Sequence, residues 1–429
     1  NLGEELLKQL TVKPIAMVLA AGFLIMLAFT RLPTVPLMGL GFGMSGLALL
    51  LSRTRTETAR AEVVRQKAEA KKPDKPEQYL AIDVLELEVG YGLIRLVDRK
   101  QGGDLLERIT NIRRQTALDL GIVLPPIRIR DNIQLEPNRY RVKLRGQPIA
   151  HGEIMPGHLL AIDSGTVTEP VSGMDTTEPA FGLTALWIAP ESKHLAEHRG
   201  YTVVEAGGVL ATHLTELIRS HAAELLTRQE LNRLLEALKE KSPKLVEEVV
   251  PEILKAGELQ KVLQNLLRER VPIRDLETIL ETLGDWAPRT KDLDVLTEYV
   301  RNALARAICF QHKTEENRIH CVSLDPRLED LLVGHWERSE RGSFLTLAPA
   351  VQNQVAAAIR QEIERATPRC GGRTPVVLCS PQVRSCVRRL TEGLLPQVAV
   401  LAYNEIVRGV ELQSHGMVVL SNEPANVSS

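Results

Sequence analysis

Two uncharged apolar runs near the amino terminus constrain this chain more than any other feature. The first extends from Pro14 to Thr30, between Lys13 and Arg31; the second lies between Arg31 and Arg53, with the core LMGLGFGMSGLALLL. At about 1.5 Å of rise per residue, each is near the minimum length that crosses the roughly 30 Å of bilayer hydrocarbon. Arg31, Pro33 and Pro36 mark the turn between them, because proline interrupts helix and a charge prefers water. The pair reads as a transmembrane helical hairpin over residues 1–52. The stretch from Arg53 to Lys75 carries an excess of Lys and Arg, which puts that side in the cytoplasm. A secretory signal fits poorly, since two segments occur in tandem with no small-residue cleavage site between them. Gly41, Gly43 and Gly46 spell G-x-G-x-x-G, but no strand precedes them and no acid follows at the ribose-binding distance. They read instead as small residues that let membrane helices pack closely.

A length of 429 residues exceeds one ordinary core, so several compact units are expected beyond the hairpin. Aromatic residues are only 3% of the chain, which leaves Leu, Val, Ile and Ala to fill those cores. A formal net charge of -1 provides no field to draw in nucleic acid, and none is expected as a partner. Cys309, Cys321, Cys370, Cys379 and Cys386 are odd in number and include no C-x-x-C pair, so they read as reduced cytosolic thiols. A metal site built from them with His312 or His320 finds no support in their spacing, which fits no zinc pattern. The chain opens on Asn1 rather than Met, and an upstream segment is expected.

Residues 53–76 are charged, contain proline and are poor in large apolar groups, which is the composition of a linker. From Leu80, LAIDVLELEV alternates as a half-buried strand does; Leu105, Leu106, Ile109 and Ile112 then recur at helical spacing until Gly121. Ile127 to Arg130 and Tyr140 to Leu144 add strands, giving a mixed α/β unit. Short strands and Gly/Pro/Thr-rich turns from Gly157 to Glu205 form a small unit inserted into the first. From Val209 to about Ile308, amphipathic helices are separated by stop signals at Ser242-Pro243, Val271-Pro272, Gly284 and Pro288. Finally PVVLC reads as a buried strand, Ser380 and Pro381 as the cap of the helix QVRSCVRRL, and VAVLAYNEI as a further strand.

Catalytic chemistry finds little purchase. The sequence lacks the P-loop pattern that holds ATP phosphates and the H-E-x-x-H of zinc proteases. His151 and Glu153 form H-x-E without the P-C-x-x-C that a zinc deaminase requires, so His151 reads as a surface or turn histidine. Asp163, Ser164 and Gly165 reproduce the D-[ST]-G turn of aspartic proteases, but that chemistry needs two carboxylates sharing a proton and the chain holds one such turn. A homodimeric, membrane-anchored protease could supply the second copy; otherwise Asp163 and Gly165 make a strand-ending turn.

Long ordered strings carry a more specific signal: NLGEELLKQL, VGYGLIRLVD, LPPIRIRDNIQLEPNRYRVKLRG, EPAFGLTALWI, YTVVEAGGVLATHLTELI and the stretch from PKLVEEVVPEIL to ETLGDWAP. From the first residue to about Val419 the chain resembles the flagellar and virulence type III secretion export-gate family. VPIRDLETILETL and VLAYNEI resemble the flagellar branch rather than the injectisome paralogue. The resemblance implies a multispan domain upstream in the bacterial inner membrane and a cytoplasmic module that assembles as a nonameric ring. The module would be α/β and multidomain, with four subdomains. These are a mixed α/β unit over residues 77–156 and 206–225, an inserted small α/β unit over 157–205, a helical unit over 226–308 and an α/β unit over 309–420. A tail over 421–429 completes the chain.

The same resemblance implies a non-enzymatic role with no cofactor: docking export chaperones with their cargo and handing the cargo to the channel using the proton-motive force. Implied partners are the chaperone-cargo complexes, other membrane proteins of the export apparatus, the export ATPase complex, further copies of the chain and the lipid bilayer. Chaperones of the family bind an apolar dimple between the first two subdomains, whose motif positions fall on Glu178, Phe181, Val204, Val209 and Thr212. By residue type alone Phe181, Val204 and Val209 would be core. Glu178 stands where an Asp is common, and Gly207-Gly208 replaces a stiffer, more polar pair. RATPRCGGRTP has no counterpart in the family.

Overall fold

The computed structural model describes residues 82–339 and 342–420, together with Phe23 and Met26. The expected hairpin, linker and tail lie outside the described residues, apart from Phe23 and Met26, which are helical. Among the described residues, no helix is long and apolar enough to cross a membrane. The chain divides into two units, Asn1–Ile82 and Asp83–Ser429, and every sheet among the described residues belongs to the second.

The first sheet is mixed, in the order β2-β1-β3-β4. Strand β1 (Leu85–Val89) runs parallel to β2 (Ile127–Asp131) and antiparallel to β3 (Arg139–Leu144), which turns back into β4 (Gln147–Glu153). Helix α1 (Leu105–Asp119) makes the crossover from β1 to β2, burying Leu105, Ile109 and Ile112. The strand expected from Leu80 begins only at Leu85, where parallel β2 begins and antiparallel β3 ends: Leu85 pairs with Ile127 on one side and Leu144 on the other. Upstream of it the backbone finds no ladder to join.

The second sheet is antiparallel, in the order β6-β7-β5-β8, from β5 (Leu159–Ile162), β6 (Met174–Thr177), β7 (Thr184–Ile188) and β8 (Thr202–Glu205). Alternation serves two cores at once. Leu160, Ala185 and Trp187 face the main core, whereas Ala161 and Ile188 close a small core of their own with Val171, Tyr201 and Ala196, the last on α2 (Lys193–His198).

Helices dominate from Ala206 to His312: α3 (Ala206–Ser220), α4 (Arg228–Lys239), α5 (Ala256–Arg268), α6 (Leu276–Trp286), α7 (Leu293–Ala303) and α8 (Ala305–His312). Side-chain caps open three of them, with Thr227, Asp275 and Asp292 accepting from N–H groups of the first turn. Gly284 does not end a helix as expected; it lies within α6, where an added Cβ would stand 3.3 Å from Val249 Cγ2. Its absent side chain serves close packing rather than termination.

The last sheet is parallel, in the order β13-β12-β9-β14, built from β9 (Arg318–Leu324), β12 (Val376–Cys379), β13 (Val400–Ala402) and β14 (Glu411–Val418). A separate antiparallel pair, β10 (Trp336–Ser339) and β11 (Gly342–Leu345), lies between β9 and β12 in sequence. Parallel strands are normally covered on both faces, and here Cys321, Val376 and Leu378 join the main core while Val322, Val377 and Cys379 face a second core. That second core includes residues of α9 (Pro326–His335), α10 (Pro349–Ala366) and α11 (Arg384–Glu392).

Helix α11 starts at Arg384, not at a Ser380-Pro381 cap. The Ser380 carbonyl instead closes a turn by accepting from Val383 N–H, and the Ser380 N–H donates to Glu329 at 2.9 Å. VAVLAYNEI is strand only to Ala402, because Tyr403–Glu405 winds into a 3-10 turn and Glu405 Oε2 accepts from Ala402 N–H at 2.8 Å.

Candidate functional site

The connection from β6 to β7 is a tight turn organised by one carboxylate. Glu178 N–H donates to Leu183 O at 2.8 Å, and Gly182 N–H donates to Glu178 O at 3.0 Å. The Glu178 side chain then folds over the turn, accepting from Ala180 N–H at 3.0 Å and from Phe181 N–H at 2.7 Å. Gly182 takes a φ of 71°, a left-handed conformation that glycine adopts without strain. The result is a fixed turn with Glu178 only 2% exposed and Phe181 60% exposed. A solvent-facing Phe ring on an ordered turn, with the exposed Leu183 close by in the chain, is the kind of apolar surface that docking exploits.

Behind the turn lies a buried polar pair from other elements. Tyr140 on β3 has its hydroxyl 2.6 Å from His213 Nδ1 on α3, with the rings edge to face at 5.8 Å between centroids. Burial pushes His213 below the usual imidazole range, the Glu178 charge opposes that shift, and His151 adds to it. In the neutral ring, the tautomer protonated at Nε2 accepts the hydrogen bond from the Tyr140 hydroxyl at Nδ1, and the other tautomer donates to it. Burial, reinforced by Glu178, raises the Tyr140 hydroxyl. Glu178 thus acts electrostatically on a strand of the first sheet and on α3, while its backbone lies in the β6–β7 turn. Tyr140 reaches this position only because Gly152 has no Cβ to meet its ring.

Of the five expected positions, the structure exposes Phe181 and Thr212, half-buries Val204 and buries Glu178 and Val209. Val204 lies on β8, opposite Leu160, and packs on the main core. Val209, 2% exposed, is part of that core with Leu210 and Leu214 along α3, so it supports the surface rather than forming it. Thr212 precedes His213 on α3. Gly208 has a definite steric role, since a Cβ there would stand 3.0 Å from Val204 Cγ1. Tyr140 and His213 are not legible as site residues in the sequence alone. The adjacency of Thr212 and His213 in ATHL is the available signal, together with an inward Tyr in an alternating strand.

The other motifs separate from this site. Asp163 directly follows β5, and its Oδ1 accepts from Gly165 N–H at 2.8 Å, with Gly165 at a φ of 84°. This is a local turn, and Asp175 lies within β6 as a strand residue. His151 and Glu153 are both exposed on the edge strand β4, opposite Arg141 and Arg139. All five cysteines are buried and free. The glycines of the apparent dinucleotide fingerprint lie outside the described residues.

Comparison with known proteins gives this geometry a context. The model of the FHIPEP family matches residues 1–411. The flagellar biosynthesis protein FlhA of Bacillus subtilis (strain 168) is 43% identical over 427 residues, which cover 97% of this chain and 62% of that protein. This chain therefore spans about three-fifths of that relative's length. Among solved structures, Chlamydia pneumoniae CdsV in complex with CdsO is 30% identical, with a TM-score of 0.72 over 80% of this chain and 100% of that one. The nonameric EPEC SctV-C has the same fold at 23% identity, with a TM-score of 0.65 over 79% of this chain and 99% of that one. On the family match and the shared mixed α/β fold, this chain belongs to the FHIPEP family.

Proposed function

We propose that this chain is the carboxy-terminal portion of a flagellar type III export-gate component, which docks chaperone-cargo complexes and passes flagellar proteins to the export channel. The observation that carries this reading is the 43% identity to a flagellar FlhA across 97% of the chain. The apolar runs of residues 1–52 anchor it in the bacterial inner membrane as a hairpin, and the 53–76 linker joins them to a cytoplasmic module. We divide that module into four subdomains, at 77–156 with 206–225, 157–205, 226–308 and 309–420. It assembles as a nonameric ring and meets the export ATPase complex and the other membrane proteins of the apparatus. The nonameric state of EPEC SctV-C and the complex of CdsV with CdsO support a fold suited to self-assembly and partner binding. It acts as a receptor, without catalysis.

Docking occurs where Phe181 projects from the β6–β7 turn that Glu178 holds, with Val204, Val209 and Thr212 as the further positions that the resemblance implies. The virulence branch of the same machinery is the second reading. It draws on the likeness to CdsV, and the identities, 43% against 30%, favour the flagellar one. The discriminating experiment measures binding of the chain to a flagellar export chaperone loaded with its cargo, beside a Phe181→Ala variant. Loss of a hot-spot ring weakens binding by about 2 kcal/mol or more, roughly thirtyfold. Equal binding by both proteins removes the docking assignment, and binding to virulence chaperones alone moves the chain to the other branch.

A further inference from the structure

A second side-chain cluster lies at the edge of the parallel sheet. His320 on β9, Cys370 in the 3-10 turn Thr367–Cys370 after α10, and His415 on β14 each offer a ligand atom, and these atoms all lie within 4.8 Å of one another. His320 Nδ1 is 2.8 Å from His415 Nε2. We propose that His320, Cys370 and His415 bind one zinc ion, which clips the outermost strand of this sheet to the end of α10.

The donor set selects the metal. Two imidazole nitrogens and one thiolate suit zinc, whereas magnesium and calcium take oxygen donors. Bonds of about 2.0 Å to nitrogen and about 2.3 Å to sulfur, at tetrahedral angles, set ligand atoms roughly 3.3 to 3.6 Å apart. The cluster spans that range, so small side-chain rotations admit the ion. Coordination replaces the hydrogen bond between the two imidazoles with two N–Zn bonds, and the ring that donates it stays neutral by moving that proton, through solvent, to its other nitrogen. The Cys370 thiol, which now donates to Ala366 O at 3.2 Å, releases its proton to solvent. The resulting thiolate offsets part of the ion's charge. Water completes the fourth position.

Backbone irregularities bring the three together from distant parts of the sequence, which is why their spacing matches no zinc pattern. On β14, Ser414 pairs with Cys321 and Gly416 with Val322, so His415 is the extra residue of a β-bulge. Bulges re-aim a side chain and are common on edge strands, and β14 is an edge. Cys370 is fixed by the turn after α10, and Gly371 and Gly372, at φ 63° and 80°, reverse the chain immediately beyond it. Arg369 ties turn to bulge by donating to His415 O at 3.3 Å. The Glu362 carboxylate on α10 occupies the space where Gly416 would carry a Cβ, placing a negative charge against the bulge. RATPRCGGRTP, to which the resemblance assigns no function and which has no part in the docking site, thereby acquires a role.

The test titrates the full chain, free of any polyhistidine tag and stripped of metal by a chelator, with Co²⁺ alone. The expected result is one Co²⁺ per chain, with a thiolate-to-cobalt charge-transfer band, intense visible bands of tetrahedral cobalt, and displacement of both by Zn²⁺. Zinc should also raise the thermal unfolding midpoint. His415→Gln and Cys370→Ser should lose the charge-transfer band and weaken binding on the order of a hundredfold, since even outer-shell changes cost tenfold or more. A native chain that shows no thiolate band overturns the proposal, as does a band that survives in Cys370→Ser. Should Cys370→Ser not fold, His415→Gln decides alone: an unchanged cobalt spectrum in that variant overturns it.

Discussion

Glu178 shows how a residue can matter at a surface it does not occupy. Both of its carboxylate oxygens are committed to the N–H groups of Ala180 and Phe181, so its contribution is to shape the backbone that carries the ring. Replacing it with Gln leaves one oxygen to accept and sets an amide N–H against a backbone N–H. Glu178→Gln should therefore cost about 1 to 2 kcal/mol of stability and weaken chaperone docking even though Phe181 is intact. Denaturant unfolding and binding measured on the same preparation check this; unchanged docking with reduced stability would separate the turn from the docking surface. At this scale the sequence is half legible. Phe181 and Glu178 come from the strings that carry the resemblance, whereas the burial of Val209 is set by its neighbours on the sheet side of α3. Tyr140 and His213 meet only after the fold has formed, 73 positions apart in the chain.

Between elements, the most consequential contact is a charged seam joining the helical stretch to the parallel sheet. Arg384 on α11 grips Glu269, just past α5, at 2.5 and 3.0 Å and pairs with Glu298 on α7, while Arg301 on α7 reaches Glu405 at 2.7 Å and Glu269 at 3.1 Å. Both arginine side chains are about 2% exposed. Burial pushes Glu269 up, but Arg384 and Arg301 outweigh it and hold the group at about 2. Arg384→Ala leaves Glu269 to Arg301 alone and takes the arginine from Glu298, whose side chain is 28% exposed, and should destabilise the protein by about 3 kcal/mol, read from a denaturant midpoint. A loss below about 1 kcal/mol would mean that solvent enters the seam. Elements themselves are largely legible because hydrophobic period is local. Their ends are not: Gly284 looks like a stop because nothing local reveals that Val249 packs over it, and β1 begins where its two neighbours first offer it a ladder.

Over the whole molecule, acid should act in two windows. His312, at the end of α8, is pushed down to about 4 by burial and the Arg301 charge, with Glu405 opposing. A folded-state value below the unfolded one near 6.5 means that the unfolded chain binds more protons between pH 6.5 and 4. Stability from this group is complete above pH 6.5 and declines as pH falls to 4, by on the order of 3 kcal/mol. Glu269 behaves as a depressed carboxylate, its contribution lost as pH falls from about 4.5 to about 2. Unfolding measured across this range should show His312→Gln with a shallower upper limb and an unaltered lower one. Identical slopes in both proteins between pH 6.5 and 4 would remove His312 from the account. At this scale the mixed α/β class is legible from alternating periods, but the sharing of one core among three sheets is not, because alternation alone does not say which layer receives each face.

The carboxylate-held turn also sets the terms of any encounter at Phe181. Its backbone is fixed before a partner arrives, so little chain entropy remains for this side of the contact to lose. The ordering cost then falls on the incoming segment. The heat-capacity change of docking becomes a gauge of how much that segment folds as it seats.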